Sequence, residues 1–240
     1  MTAPLVLILV GFFTILAAAV FFVARAARKE SAARRRLATE LGFMPVADAG
    51  ELQTRLAAAR GRQRPGLLRL THVFRRQEAL GTLWLYSLHR RNFDESGTRR
   101  GKRPSRSHYT PLETDAVALV ARDWNWPRCV ATPRLIGPGK LATFANRMAD
   151  TLVEANARRL DFPQIFDLDE FYIVASYGKA PDLPDAFLHA LAAAPGLILH
   201  LGGDTLTLSW ANARTQPPDN ARMRQLVDLA RQLARALGNG

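Results

Sequence analysis

Cysteine is almost absent from this chain of 240 residues, which has Cys129 alone. A single cysteine excludes an intramolecular disulfide framework and any zinc site built mainly from thiolates. Charge is absent from the first 24 residues, none of which is Asp, Glu, Lys or Arg. The composition as a whole, 48% hydrophobic and 22% charged, excludes a wholly disordered or fibrous chain.

The uncharged beginning contains an apolar run of 22 residues, from Ala3 to Ala24. About 20 residues of helix rise roughly 30 Å, which is the thickness of the hydrocarbon core of a bilayer. The run has no basic segment before it and is longer than the roughly 7 to 15 apolar residues of a cleaved signal peptide. We therefore expect a transmembrane helix over residues 1–24, integral to the lipid bilayer.

Six basic residues follow the apolar run closely, with Glu30 as the one acid among them. Short basic flanks remain on the cytoplasmic side of a membrane. We therefore expect a bacterial inner (cytoplasmic) membrane protein with its N-terminus outside and its C-terminal domain in the cytoplasm. Residues 25–66 are rich in helix-forming Ala, Arg and Glu and are expected to form a basic juxtamembrane stalk and connector. The juxtamembrane basic residues are Arg25, Arg28, Lys29, Arg34, Arg35 and Arg36.

From residue 67 onward the pattern of apolar residues changes. Apolar and polar residues alternate over 68–75 and again over 83–89, which predicts a β-hairpin. Gly202-Gly203 predicts the turn of a second hairpin, and residues 219–237 have the apolar spacing of an amphipathic helix. We predict an α+β fold: a transmembrane helix and stalk, then one antiparallel-sheet domain over 67–240 with flanking helices and a C-terminal amphipathic helix.

Three short motifs carry a resemblance to known proteins. After the apolar helix come Leu41-Gly42-Phe43, then Phe171-Tyr172-Ile173-Val174, then the Gly202-Gly203 hairpin. In this order they resemble a loose group of uncharacterised bacterial single-pass membrane-anchored proteins, over most of the chain. The resemblance implies the fold plan given above and no established activity, so no catalytic residue is carried over from it.

A glycine-rich segment, Gly137-Pro138-Gly139-Lys140, precedes a predicted helix, as phosphate-binding loops do. Pro138 removes one of the N–H groups that such a loop needs, and Leu141 stands where a P-loop has Ser or Thr for magnesium. We interpret this segment as a turn before a helix, and we expect no cofactor.

The remaining residues with catalytic or metal-binding chemistry form no recognisable motif. Acidic residues crowd the stretch 161–170 without the glycine that a calcium loop requires. The five histidines are scattered, with no H-E-x-x-H pair, and Cys129 has no base beside it in sequence. We assign no catalytic and no metal-binding residue; the balance is against an enzyme, but sequence alone leaves this open.

The segment 93–112 carries the strongest functional signal. It is basic, rich in Gly, Ser and Pro and poor in apolar residues, which predicts a flexible loop. Five cations there suit anionic lipid headgroups, at about 1 kcal/mol each, or an acidic partner. They could also neutralise nucleic-acid phosphates, although no nucleic-acid-binding motif accompanies them. The expected contact residues are Arg99, Arg100, Lys102, Arg103 and Arg106. The alternative is a solvated hairpin insertion with no binding role.

The charge of the chain is concentrated in one part. Residues 25–110 contain 20 basic and 7 acidic side chains, whereas residues 111–240 contain 13 and 14. We expect a binding or scaffold module close to the inner membrane surface, with anionic lipid headgroups and an unidentified protein as partners. The alternative is a membrane-tethered enzyme or ligand-binding domain with a pocket that sequence does not reveal. Nucleic-acid binding through the basic loop is the lesser alternative.

Overall fold

The computed structural model describes residues 3–61, 68–93, 107–134, 157–165, 168–211 and 220–238. Nine strands form one sheet in the order β1-β2-β3-β4-β9-β8-β5-β7-β6, and every pair of neighbours is antiparallel. The strands are β1 (Met44–Pro45), β2 (Leu68–Glu78), β3 (Gly81–Phe93), β4 (Ser107–Val120), β5 (Trp126–Pro133), β6 (Arg158–Leu160), β7 (Tyr172–Ser176), β8 (Leu197–Gly203) and β9 (Thr205–Trp210).

Helices are few in the described part of the chain. The longest runs without interruption through both the apolar beginning and the basic residues after it, from Ala3 to Glu40. The expected C-terminal amphipathic helix is present as α5, with its buried residues on one side. The helices are α1 (Ala3–Glu40), α2 (Gly50–Arg60), α3 (Leu168–Phe171), α4 (Asp185–Ala192) and α5 (Asn220–Gly238).

The predicted fold class is wrong: in place of an α+β domain with a transmembrane helix, the structure has a nine-stranded antiparallel sheet with few helices. Sequence pattern missed β1 and β6, which have two and three residues and are strands only because they pair with β2 and β7. Strand β3, with 13 residues, is also longer than its alternating segment, 83–89. The helix expected after Gly139 lies outside the described residues.

The prediction of a transmembrane helix over residues 1–24 is also wrong. Among the residues that the structure describes, no helix has both the length and the apolar character needed to cross a membrane. The apolar run is the first part of a longer helix whose last 16 residues, from Arg25 to Glu40, include eight charged side chains. The same finding overturns the expected single-pass topology and the inner-membrane location with the N-terminus outside.

Strand β4 lies at the centre of the core and is covered on both faces. Residues Ala116 to Leu119 have no exposed surface. Val117 and Leu119 pack into the larger apolar cluster, together with buried residues of α3, α4 and α5 and with Leu37 of α1. Ala116 and Ala118 point to the other face and pack into the second cluster beneath α2. Burial on both faces explains why this strand is continuously apolar.

Ion pairs connect the outer helices to the sheet and to each other. Arg231 of α5 bonds to Glu78 at the end of β2 at 3.0 Å, and Arg224 of α5 bonds to Glu40 at the end of α1 at 3.1 Å. Arg76 also contacts Glu78. These contacts hold the last turn of α1 and the tip of the β2–β3 hairpin against the C-terminal helix.

The β2–β3 hairpin depends on Gly81. Its backbone has φ +141°, and a Cβ placed there would lie 2.1 Å from the carbonyl oxygen of Val120. We expect Gly81→Ala to lower the free energy of unfolding by more than about 2 kcal/mol, because the new side chain meets both strain and backbone. Urea denaturation measures this. Gly238→Ala, where a Cβ meets nothing within 4 Å, should stay within about 0.5 kcal/mol of the parent, and an equal loss in both variants would contradict the explanation.

Candidate functional site

The five basic residues predicted in the loop, Arg99, Arg100, Lys102, Arg103 and Arg106, lie outside the described residues. The strands on either side are described: β3 ends at Phe93 and β4 begins at Ser107, and these two residues are paired. Residues 107–112, expected within the loop, belong to β4.

The basic residues of α1 are divided between two sides of the helix. Arg25, Arg28, Lys29, Arg35 and Arg36 are exposed. Arg34 has the same helical phase as buried Leu37 and Ala38 and points toward the sheet, where its side chain is 12% exposed. The predicted set of six therefore includes one structural residue, and helical phase is the sequence signal that distinguishes it.

A large open groove lies between α1 and the edge of the sheet formed by β1 and β2. Its volume is about 1020 Å³. Arg28, Arg35 and Arg36 line one wall, since spacings of seven and eight residues return to one helix face. Its other wall includes Val73 and Phe74 of β2. We call this the edge groove.

The three arginines of the edge groove carry uncompensated charge. Within the described part of the chain, none of Arg28, Arg35 and Arg36 forms an ion pair. The hydroxyl groups of Ser31 and Thr39 line the same wall, and so does Glu40, whose carboxylate pairs with Arg224 of α5. The groove therefore offers guanidinium groups, which bind carboxylates with paired hydrogen bonds, next to apolar surface.

Beneath the groove, Arg34 fastens α1 to the sheet. Its Nε lies 2.9 Å from Oδ1 of Asp115, and one terminal nitrogen lies 2.9 Å from Oε1 of Glu30. The other terminal nitrogen donates to Nδ1 of His72 at 3.3 Å and to Oγ of Ser87 at 3.4 Å. One guanidinium thus contacts α1, β2, β3 and β4.

Two of these partners have a strained backbone. His72 and Asp115 have φ values of 52° and 57°, the left-handed region that side chains other than glycine seldom adopt. Each lies at an irregularity in strand pairing: the β2–β3 register shifts between Thr71 and Phe74, and the β3–β4 register shifts opposite Ser87. Such strain costs about 1 to 3 kcal/mol per residue and is concentrated at functional sites.

His72 lines both the edge groove and a small cavity between α1 and the sheet. The cavity has a volume of about 40 Å³, enough for about one water molecule, and Arg34, Ser87 and Asp115 also line it. Burial, and then the charge of Arg34, lowers the pKa of His72. Burial raises the pKa of Asp115, and the adjacent Arg34 opposes that rise.

Ser31 and His72 are 2.9 Å apart, but they do not form a nucleophile and base. Arg34 can only donate, so Nδ1 of His72 accepts its hydrogen bond, and the ring proton of the neutral imidazole lies on Nε2. That proton is donated to Oγ of Ser31, so His72 cannot remove the proton of the serine. A catalytic triad has a carboxylate at Nδ1, the reverse of the arginine found in this position.

The opposite face of the sheet has a second charged pair, which sequence analysis missed. Arg60, the last residue of α2, bonds to Glu113 of β4 at 2.5 Å, with side chains 4% and 6% exposed. Burial alone would lower the pKa of Arg60, but the charges and hydrogen bonds of Glu113 and Tyr86 together outweigh burial, and the net pKa is raised. No sequence signal joins these residues, which are 53 positions apart.

Cys129 and the acidic residues are not arranged for catalysis in the described structure. Burial raises the pKa of the Cys129 thiol to about 12, so it is protonated at neutral pH and a poor nucleophile. Among the described residues no three or more His, Cys, Asp or Glu side chains cluster as metal ligands would. Asp167 and the segment Gly137–Lys140 lie outside those residues.

Comparison with known proteins gives little further information. No family model and no curated protein matches the chain. A crystal structure of the mycobacterial trehalose monomycolate transport factor A is similar over 88% of this chain and 95% of that chain, with 13% identity and a TM-score of 0.48. A likeness of this degree gives no basis for transferring an activity.

The contacts of Arg34 predict that it stabilises the protein and that its neighbour does not. Arg34→Ala should lower the free energy of unfolding by about 1 to 3 kcal/mol, because it leaves the partly buried Asp115 without its cation. Urea denaturation measures the loss, and hydrogen exchange should quicken at the amides of Leu37 to Leu41. The matched control is Arg35→Ala, one position along the same helix, which should change stability by less than about 0.5 kcal/mol. Equal effects would refute the assignment.

Histidine burial predicts that the protein loses stability in weak acid. Burial lowers the pKa values of His72 and His89, and lowers that of His200 well below 6.5. Below about pH 6.5 the unfolded chain then binds more protons than the native one, so stability is lost as pH falls, by up to about 1.4 kcal/mol per pH unit for each histidine. His200→Asn should reduce that slope in denaturation curves from pH 7.5 to 5.5. An unchanged slope in His200→Asn would contradict this explanation.

Proposed function

We propose that this protein is a binding module that holds an acidic segment of a partner protein in the edge groove. The observation that supports this most is the row of three exposed arginines on one helix face, without ion pairs in the described structure, along an open groove. Exposed arginines that are close together repel each other, and a carboxylate-rich ligand relieves that repulsion while forming charge-assisted hydrogen bonds.

The groove fits a peptide better than it fits a small anion or a nucleic acid. Its volume of about 1020 Å³ is at the upper limit of small-molecule pockets. Apolar surface from Val46 and Val73 lies opposite the arginines, which suits a segment that alternates acidic and apolar residues. The lining contains the phenyl ring of Phe74, which is buried, and the imidazole of His72, which is held by Ser31 and Arg34, so neither ring is free to stack on a base.

The enzyme alternative has less support at this site. The one serine and histidine pair in the groove has its proton on the wrong nitrogen for base catalysis, because Arg34 occupies the other. His72 is better explained as a positioning group that keeps Arg34 and α1 in place beside the groove.

Charge removal at the groove tests the proposal. The probe is a fluorescein-labelled 12-residue peptide of alternating Glu and Leu, and fluorescence polarisation measures its binding to the full chain. We expect Arg28→Ala, Arg35→Ala and Arg36→Ala together to weaken binding at least tenfold, or about 1.4 kcal/mol. The reason is that each truncation removes a guanidinium that faces the peptide.

The control removes the same number of charges elsewhere. Arg122, Arg158 and Arg235 are exposed and do not line the edge groove. Their combined replacement by Ala should weaken binding less than threefold. Equal weakening by both triple variants, or no binding of the peptide by the parent, would overturn the proposal. Binding to vesicles of anionic phospholipid that depends on the groove arginines, without peptide binding, would favour lipid headgroups instead.

A further inference from the structure

A second cleft shares no lining residue with the edge groove. Four separate segments form it: the β2–β3 turn, the connection from β4 to β5, the segment after β7 and the end of α5. Its volume is about 650 Å³, within the range of small-molecule pockets. Binding residues are often found where loops from a rigid sheet converge in this way. We call this the tryptophan cleft.

Two indole rings are the largest apolar groups that line the tryptophan cleft, beside smaller aliphatic side chains. Trp124 and Trp126 are both partly exposed, and both pack against the main apolar cluster. Trp126 belongs to β5 and pairs with Gly203, while the backbone of Trp124 donates to the carbonyl of Ala121. The position of each ring is thus fixed by its packing against the core and by the hydrogen bonding or strand pairing of its own backbone. The cost in conformational entropy of stacking a ligand on such rings is small.

The polar groups of the cleft are balanced in charge. Arg122 and Lys179 supply two cations, and Asp123 and Asp182 supply two carboxylates. All four are exposed, and none has an ion-pair partner within the described residues. Asn125, between the two tryptophans, adds an amide that both donates and accepts hydrogen bonds. This lining differs from that of the edge groove, where three arginines outnumber the one acid, Glu40.

The composition of the lining selects a class of ligand. A cationic ligand would be repelled by Arg122 and Lys179, and an anionic ligand would be repelled by Asp123 and Asp182. The balanced charge therefore favours neither kind of ion. A neutral ligand with many hydroxyl groups can use donors and acceptors of both kinds. If it also has a flat apolar face, it can cover an indole ring. Cyclic sugars combine these two properties.

We propose that the tryptophan cleft binds a neutral saccharide, with a pyranose ring stacked on Trp124 or Trp126 and its hydroxyl groups bonded to Asn125 and Asp182. The site is separate from the edge groove and does not depend on the function proposed for it.

Indole resonances test this inference directly. The chain has four tryptophans, and Trp84 and Trp210 do not line the cleft. In nitrogen-15 correlation spectra of the full chain, with peaks assigned by Trp→Phe variants, we expect millimolar maltotriose or cellotriose to shift the indole peaks of Trp124 and Trp126. The peaks of Trp84 and Trp210 should stay in place and serve as internal controls. Sorbitol, which has hydroxyl groups but no ring, should shift none of them.

Variants at exposed positions avoid the risk of unfolding that comes with removing a tryptophan. Asn125→Ala and Asp182→Asn should each weaken the titration at least threefold, whereas Asp228→Asn on the exposed side of α5 should not change it. The proposal is overturned if neither trisaccharide moves the two indole peaks, or if sorbitol moves them equally. It is also overturned if tetramethylammonium moves them and the sugars do not, which would indicate a cation site.

Discussion

Burial of strand β4 on both faces is the constraint on which the rest of this structure depends. From Ala116 to Leu119 the strand has no exposed surface, so each face needs its own cover. Helix α2 covers one face over the small Ala116 and Ala118, and α4, α5 and the last turns of α1 cover the other. Neither layer suffices alone, because a sheet with one bare apolar face would expose this strand to water.

The same strand supplies one carboxylate to each covering layer. Glu113 pairs with Arg60 of α2, and Asp115 pairs with Arg34 of α1 on the opposite face. Residues two apart on a regular strand point to the same side. The extra residue in β4 opposite Ser87, together with the left-handed backbone of Asp115, allows the two acids to diverge. The strain at Asp115 is therefore a structural requirement for fastening both helices to one strand.

Sequence reasoning identified the parts of the fold that depend on local pattern. The hairpins β2–β3 and β8–β9 and the C-terminal helix follow from alternation, glycine turns and helical spacing, all of which operate over a few residues. The length and apolar composition of residues 3–24 predicted a transmembrane helix, and this prediction was wrong because no described helix is long and apolar enough to cross a membrane. Sequence reasoning could not find the Arg60–Glu113 pair, because the two residues are 53 positions apart. It also could not find the irregular positions in β2 and β4, because these depend on the register of strand pairing. The role of Arg34 was within reach, because its helical phase matches Leu37 and Ala38.

The positive charge concentrated in residues 25–110 is partly neutralised in the folded protein. Arginines of the basic part are neutralised by acids from the later part: Glu113, Asp115 and Asp204 pair with Arg60, Arg34 and Arg55. These three acids are therefore committed to holding the helices against the sheet. The arginines of the edge groove have no such ion-pair partner among the described residues. Arg35 and Arg36 directly follow Arg34, and Arg28 lies six positions before it. No carboxylate among the described residues pairs with them, so an acidic ligand, as proposed above, would relieve the repulsion between these three like charges.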